Sequence, residues 1–338
     1  MLPIFHRRLE RVRQRQENRG LVLYRRHLRD HSNPFDIPEE RFIELYRLNK
    51  ELARYVINTI SPVMAQGVYG NSIPNLIKIF ASLRFYATGS YQRDIGLSYL
   101  VSLSQTSVHR CIQQVTQAIE TTITIHEVTF PTNEIEHNRI KHSFMDKFGF
   151  PGVIGCVDGT HIAISRPARE AHNFYNRKGY YSLNTQIICD DNLKILSLNA
   201  NFPGSNHDSY IWRHTRVRQY LLQQYLQNRL RGSWLIGDSG YMLEPFLMIP
   251  FINPLDGSPE SRYNHCHIRA RNCVERCIGV WKCRFRACLQ ERTAKYSPSF
   301  VGSLVNAKAA LHNLCIRFNV PLLEAPLLEN DPSYWSHS

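Results

Sequence analysis

The sequence predicts an α/β protein in which an all-helical part comes before a part built on a β-sheet. Apolar residues recur at helical spacing before residue 150, and runs rich in valine and isoleucine follow it, after the break Gly149-Phe150-Pro151-Gly152. A length of 338 residues also exceeds the roughly 100 to 200 residues of one typical domain. We therefore expect four regions: a basic arm over 1–36, a helical domain over 37–150, a sheet-containing domain over 151–320 and a tail over 321–338.

The overall charge narrows the class of partner. The formal net charge is +13 and the sequence pI is about 9.4, and such an excess attracts polyanions before specific contacts form. Nucleic acid is the leading expectation, and a basic protein without a nucleic-acid role is the alternative. Nine cysteines without a signal peptide or a long apolar run favour a reducing intracellular compartment and no membrane span. We expect a location in the nucleus and also in the cytoplasm.

The basic arm owes its charge to arginines between His6 and His31. Such a run can contact DNA phosphates, act as a nuclear-import signal, or form the solvated face of a helix. The sequence leaves these three interpretations open.

Helix signals follow the arm. Pro38 predicts the start of a helix that runs to about Ile60, Pro74 starts a second that ends near Gly89, and a short helix begins at Tyr91. Ser104 suits the N-cap of the next helix. Three helices with a tight connection before the last are typical of a helix-turn-helix unit, and a plain helical bundle is the alternative. In the first interpretation the nucleic-acid contacts come from Gln105, Thr106 and Arg110.

The second part begins with three strands in succession. Val153 to Ser165, Leu183 to Cys189 and Ile195 to Ala200 predict these strands, Asp208 to Arg231 predicts a helix, and Trp234 begins a fourth strand. A doubly wound sheet would alternate strand and helix from its first element. The order therefore favours an RNase H-like fold.

Three acidic residues in separate segments are the candidate catalytic group. Asp158 lies within an apolar strand, where a carboxylate is unfavourable unless a cation or donor compensates it. Asp238 ends another apolar strand, and Glu275 borders the apolar stripe of a helix. Carboxylates bind hard divalent cations, and two such ions can catalyse phosphoryl transfer. For each acid alone, a turn residue or a surface ion pair is the simpler interpretation.

The ordered motifs of residues 150–318 resemble those of Harbinger-type DDE transposases and the nuclease derived from them. The motifs are Val157-Asp158-Gly159-Thr160-His161-Ile162, Asn176-Arg177-Lys178-Gly179-Tyr180, His207-Asp208-Ser209, Gly237-Asp238-Ser239-Gly240-Tyr241, Val274-Glu275-Arg276 and Leu311-His312-Asn313-Leu314-Cys315. One departure is Cys277-Ile278-Gly279, where the family commonly has phenylalanine and glycine.

The resemblance implies an RNase H-like catalytic domain in which Asp158, Asp238 and Glu275 bind two Mg²⁺ or Mn²⁺ ions, with Asp158 between them. It adds Asp208 as a further metal ligand, for which a helix N-cap is the alternative. The implied activity is hydrolysis of DNA phosphodiester bonds by an endonuclease, with strand transfer as a further step in a transposase. The implied partners are DNA, a Myb-like companion protein and a second copy of the chain.

Basic residues of the same motifs are expected to form a phosphate-binding rim, and solvated surface is the alternative. Those assigned to nucleic acid are Arg177, Lys178, Arg271, Lys282 and Arg284. The rival function is a non-cutting DNA-binding or partner-recruiting protein domesticated from a transposase. A zinc site among the histidines and cysteines of residues 265–288 is disfavoured, because Cys273 and Cys277 fall inside a predicted helix.

Overall fold

Helices make up the first part of the chain. The computed structural model describes residues 2–65 and 72–323, so most of the predicted tail over 321–338 lies outside the described residues. Its internal contacts divide the chain into one unit that ends at Val115 and another that starts at Thr116. The helices up to this division are α1 Leu2–Asp30, α2 Glu39–Tyr46, α3 Lys50–Ile60, α4 Asn75–Thr88, α5 Gln92–Leu97 and α6 Gln105–Ile119.

The helix predicted from Pro38 to Ile60 is in fact two helices. Arg47 ends α2 in a left-handed conformation with φ of 62°, and Asn49 caps α3 by accepting the backbone N–H of Leu52 at 2.8 Å. A left-handed residue followed by an N-cap is a stop and a restart of the helical hydrogen bonds. The apolar spacing on both sides of this break hides it from a periodicity argument.

The connection between α5 and α6 is tight. Leu103 donates its backbone N–H to the Gly96 carbonyl at 3.0 Å, and a Cβ at Gly96 would lie 2.3 Å from the Leu103 oxygen. A side chain at position 96 would therefore force the two segments apart. Gln105, Thr106 and Arg110 are exposed on the first turns of α6.

The second unit contains a five-stranded mixed sheet of order β3-β2-β1-β4-β5. β1 pairs antiparallel with β2 and β2 antiparallel with β3, whereas β4 runs parallel to β1 and β5 parallel to β4. This sheet confirms the predicted α/β class; the short β5 had no predicted counterpart. The strands are β1 Val153–Ala163, β2 Ser182–Cys189, β3 Ile195–Pro203, β4 Trp234–Ile236 and β5 Leu247–Met248.

Helices cover this sheet: α8 and α12 pack on β1, and α13 packs on β3. The helix predicted over 208–231 is split, because Thr215 caps α11 through the backbone N–H of Arg218. No helix within the described ranges is both long and apolar enough to cross a membrane. The helices of this unit are α7 Ile125–Glu127, α8 Glu134–Phe148, α9 Ala171–Phe174, α10 Asp208–Arg213, α11 Arg216–Leu226, α12 Pro259–Arg284 and α13 Pro298–Arg317.

Strand β2 is buried along its whole length although it carries polar residues. Asn184, Thr185 and Gln186 lie at its centre and are each 3% exposed or less. A buried polar side chain is unfavourable unless it is hydrogen-bonded, so three in one central strand mark this region of the sheet as more than core.

Candidate active site

The register of two parallel strands brings Asp158 and Asp238 together. The last paired position of β1 and β4 joins Cys156 to Ile236, and each aspartate lies two residues further along its own chain. Side chains two residues apart point to the same face of a strand, and neighbouring strands lie about 4.8 Å apart. The sheet therefore places both carboxylates side by side at the end of β4.

Asp208 joins this pair from the start of α10. Its Oδ1 accepts a hydrogen bond from Asn184 Nδ2 at 2.8 Å, and a Cβ added to Gly159 would lie 2.2 Å from the same oxygen. The carboxylate thus lies against the backbone that follows Asp158. His207 is the N-cap of α10, so the alternative interpretation of Asp208 as the N-cap is wrong.

Glu275 is connected to Asp158 by an arginine of the same helix, which pairs with both acids. Arg271 Nη2 donates to Glu275 Oε1, one helical turn away on α12, and its Nη1 lies 3.7 Å from Asp158 Oδ2. The guanidinium therefore lies between the helix acid and the strand acid and partly neutralises both.

Burial makes the carboxyl groups of Asp158 and Asp238 weaker acids than usual. Burial raises the pKa of Asp158 to about 7, against the lowering effect of Arg271, and the charges of Asp238 and Asp208 raise it further. Burial also raises the pKa of Asp238, again opposed by Arg271 and by the N–H of Gly240. A bound cation would favour the charged form of both groups.

Three of the four acids open into a cleft of about 320 Å³ with a basic side. Asp158, Asp208 and Glu275 line it together with Arg177, Lys178 and Lys282. Such a cleft offers a carboxylate group for cations and a set of cations for an anionic substrate.

Comparison with known families identifies the domain that holds this cleft. Residues 157–313 match the DDE superfamily endonuclease family, and this range contains all four acids. This part of the chain is similar to a DDE superfamily endonuclease domain. The resemblance to Harbinger-derived nucleases is confirmed by relatives that share most of the chain's length.

Those relatives include proteins named "Putative nuclease HARBI1" from Rattus norvegicus and Homo sapiens. Each is 29% identical over 295 residues, which cover 86% of this chain and 82% of the relative. "Protein ALP1-like" from Arabidopsis thaliana is 23% identical over 263 residues, which cover 72% of this chain and 63% of that protein. No solved structure matches the chain.

The loop that carries Arg177 and Lys178 is held in place within the endonuclease domain. Asn176 is 3% exposed, its Oδ1 accepts the backbone N–H of Lys178 at 2.9 Å, and its Nδ2 donates to Ser182 Oγ at 2.8 Å. Both basic side chains remain exposed, and neither pairs with a carboxylate among the described residues. The domain thus presents two cations at the mouth of the cleft on a fixed loop.

Inside the cleft, His161 and Lys282 lie next to each other and are less exposed than Arg177 and Lys178. Lys282 Nζ donates to the His161 carbonyl at 3.2 Å, and the imidazole Nδ1 lies 3.0 Å from Ser182 Oγ. Burial and the charges of Lys178 and Lys282 lower the pKa of His161 to about 4, so this imidazole is neutral at pH 7. His161 belongs to the same sequence motif as Asp158 but was not among the predicted site residues.

Arg284 was predicted to belong to the phosphate-binding rim, and this prediction is wrong. It is 6% exposed and its Nη2 donates to the Val320 carbonyl at 3.1 Å, so it braces the end of α13 instead of lining the cleft. Gln105, Thr106 and Arg110 belong to the helical unit, where their nucleic-acid role stays a prediction.

The donors of the cleft suit a hard divalent cation. Asp158 and Asp208 in the cleft, and Asp238 beside Asp158, supply carboxylate oxygens. Asn184 adds a buried amide oxygen, Oδ1, that has no hydrogen-bond partner among the described residues. Oxygen ligands of this kind are those preferred by Mg²⁺ and Mn²⁺. In the part of the chain that the structure describes, no three Asp, Glu, His or Cys side chains are arranged so that they could hold one ion together. The pairing of Arg271 with Asp158 and Glu275 gives a physical reason, because the guanidinium draws these acids to itself.

Asn184 was not among the predicted site residues, whereas the four acids were. A signal was present, since an asparagine within the strand Ser182–Cys189 is as unusual as an aspartate within β1. The contact of Arg271 with Asp158 joins residues 113 positions apart and leaves no local signal.

Proposed function

We propose that this protein is a metal-dependent DNA endonuclease of the Harbinger transposase-derived type, which hydrolyses phosphodiester bonds. The observation that carries the proposal is the convergence of Asp158, Asp208 and Asp238 at one end of the sheet, where burial raises the pKa of two of them. Perturbed carboxyl groups in a cleft are typical of functional sites. The family match supports the nuclease class.

The strand order supports an RNase H-like fold for this domain. Three antiparallel strands lie beside two that run parallel to β1, and the acids gather where β1 and β4 run side by side. One acid lies in β1, one follows β4 by two residues, one is at the start of α10 and one is in α12. Several backbone elements thus fix the group together, which favours preorganised ligands.

Asp158, Asp208, Asp238 and Glu275 would hold two Mg²⁺ or Mn²⁺ ions. When bound, such ions activate a water and stabilise the attacking and leaving oxygens of the phosphoryl transfer. Arg177 and Lys178 bind the phosphate backbone at the mouth of the cleft, and Lys282 extends the positive surface inward. In a transposase the released 3′ hydroxyl would then attack a target strand.

Recognition of the DNA sequence is proposed for the helical unit. The close approach of Gly96 and Leu103 gives the tight connection that a helix-turn-helix needs, and Gln105, Thr106 and Arg110 are exposed at the start of the following helix. A Myb-like companion protein, a second copy of the chain and a location in nucleus and cytoplasm belong to the same proposal.

A nicking assay tests the proposal. Purified protein is incubated with supercoiled DNA and Mg²⁺ or Mn²⁺, and Asp158→Asn is compared with Asp256→Asn, a change at an exposed aspartate of the same unit. We expect the wild type and Asp256→Asn to nick equally. Asp158→Asn should be slower by roughly a thousandfold or more, because metal catalysis supplies several kcal/mol.

Equal nicking by all three proteins would contradict the proposed site. Tight DNA binding without nicking at any metal concentration would favour the second candidate function, a non-cutting DNA-binding protein. The pairing of Arg271 with Asp158 and Glu275 is the observation in favour of that candidate, because it occupies two of the four acids.

A further inference from the structure

Asn184 lies in the cleft as a buried amide with half of its hydrogen bonds made. It belongs to β2, faces His161 of β1 in the register and is 3% exposed. Its Nδ2 donates to the Asn206 carbonyl at 2.9 Å and to Asp208 Oδ1 at 2.8 Å. Its Oδ1 has no hydrogen-bond partner among the described residues.

The chemistry of the neighbours fixes the orientation of this amide. A backbone carbonyl and a carboxylate can only accept hydrogen bonds, so the nitrogen must face Asn206 and Asp208. The flipped amide would put its oxygen against two other oxygens. Oδ1 is therefore held away from them, and a buried acceptor without a donor is unfavourable.

Gly159 holds the other side of the Asp208 carboxylate. A Cβ at this position would lie 2.2 Å from Asp208 Oδ1 and 2.6 Å from its Cγ. The glycine therefore leaves the space that the carboxylate fills next to Asp158. Asn184 and Gly159 together fix where this acid can lie.

We propose that Asn184 Oδ1 is a neutral oxygen ligand, direct or through a bound water, of the divalent ion that Asp158 and Asp208 hold. Asn184 lines the same cleft as these two acids, and an amide oxygen is a hard ligand of the type that Mg²⁺ and Mn²⁺ accept. Through its Nδ2 the same side chain positions Asp208. This assignment rests on the proposed metal-dependent function.

Mn²⁺ affinity, measured from the electron paramagnetic resonance signal of free Mn²⁺, tests the assignment without any cleavage. We expect Asn184→Ala to weaken Mn²⁺ binding about tenfold or more, as loss of a ligand or its support does. Asn184→Asp keeps an oxygen at the same position and adds a charge, so its affinity should equal or exceed that of the wild type. Asn201→Asp, a change at an exposed asparagine, is the control and should bind as the wild type does.

Thermal unfolding of the same proteins gives a second measurement. Asn184→Asp loses the donor to Asp208 and places two carboxylates together, so its metal-free midpoint should fall below that of the wild type. Mn²⁺ should then raise this midpoint by more than it raises the wild-type midpoint. A solely structural asparagine would produce the first change without the second.

Gly159→Ala reaches the same carboxylate without removing a polar group. The added methyl displaces Asp208, and we expect a loss of Mn²⁺ affinity similar to that of Asn184→Ala. If Asn184→Ala does not fold, this variant and Asn184→Asp decide the question.

The outcomes distinguish failure of the Asn184 assignment from failure of the proposed endonuclease function. If the wild type binds Mn²⁺ and Asn184→Ala or Gly159→Ala binds it equally well, the assignment is overturned while the endonuclease proposal stands. If Asn184→Asp loses as much affinity as Asn184→Ala, Asn184 acts through its donated hydrogen bonds alone and is no ligand. If the wild type binds no Mn²⁺, the metal-dependent function is itself overturned.

Discussion

Two groups of acids lie in the sheet-containing unit, one buried and one half-buried, and they are compensated in opposite ways. Asp190 and Asp191 lie in the turn between β2 and β3. Asp191 accepts from Ser143 Oγ at 2.5 Å and pairs with Lys147, while Asp190 Oδ1 accepts the backbone N–H groups of Asn192 and Lys194 at 2.9 Å each. This turn group tethers the sheet to α8.

The cleft acids have fewer partners of their own. Asp158 accepts the N–H of Gly159 at 2.8 Å and Asp238 that of Gly240 at 3.0 Å, and Arg271 is the cation that approaches Asp158. Burial raises the pKa of Asp158, and the charges of Asp238 and Asp208 add to this rise. The acids of the turn are thus neutralised by cations of the protein itself. The cleft acids have negative charge that the protein does not fully neutralise, so a cation from solution can bind there.

The largest effect on stability is expected from Asp191→Ala. This change removes the buried carboxylate that accepts from Ser143 and pairs with Lys147. Because the Lys147 side chain is 43% exposed and also donates to Asn192 Oδ1, the loss should be about 1–3 kcal/mol and should come mainly from the unpartnered Ser143 hydroxyl. Urea unfolding measures the loss. Asp158→Asn is the matched change in the other group, and its free energy of unfolding should equal or exceed that of the wild type. Equal losses in both variants would contradict the comparison.

The pH dependence of stability sharpens the same contrast. The pKa of Asp158 is about 7 in the folded protein and about 3.9 in an unfolded chain, so between these values the folded state binds more protons. Stability should therefore fall as pH rises from about 4 to about 7, by a few kcal/mol at most, at up to about 1.4 kcal/mol for each pH unit. The measurement is thermal unfolding of metal-free protein across this range.

Asp158→Asn removes the titrating group and should flatten this pH profile. Mn²⁺ should stabilise the wild type more at pH 8 than at pH 5, since the ion binds the charged form and competes with the proton. An unchanged profile in the variant would assign the slope to another group.

Arg271 is the next test, because it partly compensates the cleft acids without an ion. Arg271→Gln frees Asp158 and Glu275, so we expect Mn²⁺ affinity to rise about tenfold, which corresponds to about 1.4 kcal/mol of removed competition. The metal-free protein should become less stable. Arg276→Gln, at an exposed arginine of the same helix, should change neither quantity. A fall in affinity would mean that Arg271 supports the ion site instead of competing with it.

The sequence allowed the cleft acids to be predicted because a carboxylate in an apolar strand is locally unusual. Asp158 and Asp238 stand out in this way, and the helix that bears Glu275 follows from apolar spacing. The partners of these acids are long-range contacts, such as Asn184 with Asp208 and Arg271 with Asp158, which no local pattern encodes.

Burial of a charged residue is equally hidden from local pattern. Arg284 has the surroundings of a rim residue in the sequence, yet its guanidinium ends at the Val320 carbonyl. The burial of Arg284 depends on where the chain runs after α13, which the residues around Arg284 do not determine. In the same way, the left-handed conformation of Arg47, where the predicted first helix divides, depends on packing and not on the identity of that residue.

The smallest effect concerns the cations that lack acidic partners. Lys147 is neutralised by Asp191, whereas Arg177 and Lys178 pair with no carboxylate in the described part of the chain, which leaves them free for phosphates. Arg177→Gln with Lys178→Gln should therefore lower the slope of log DNA affinity against log salt by about 0.9 for each phosphate that the variant no longer neutralises. Arg213→Gln with Arg216→Gln removes the same charge from exposed positions away from the cleft and should change the slope less. Equal changes in both pairs would show that the rim acts through net charge alone, and the contrast between paired and unpaired cations would then carry no functional meaning.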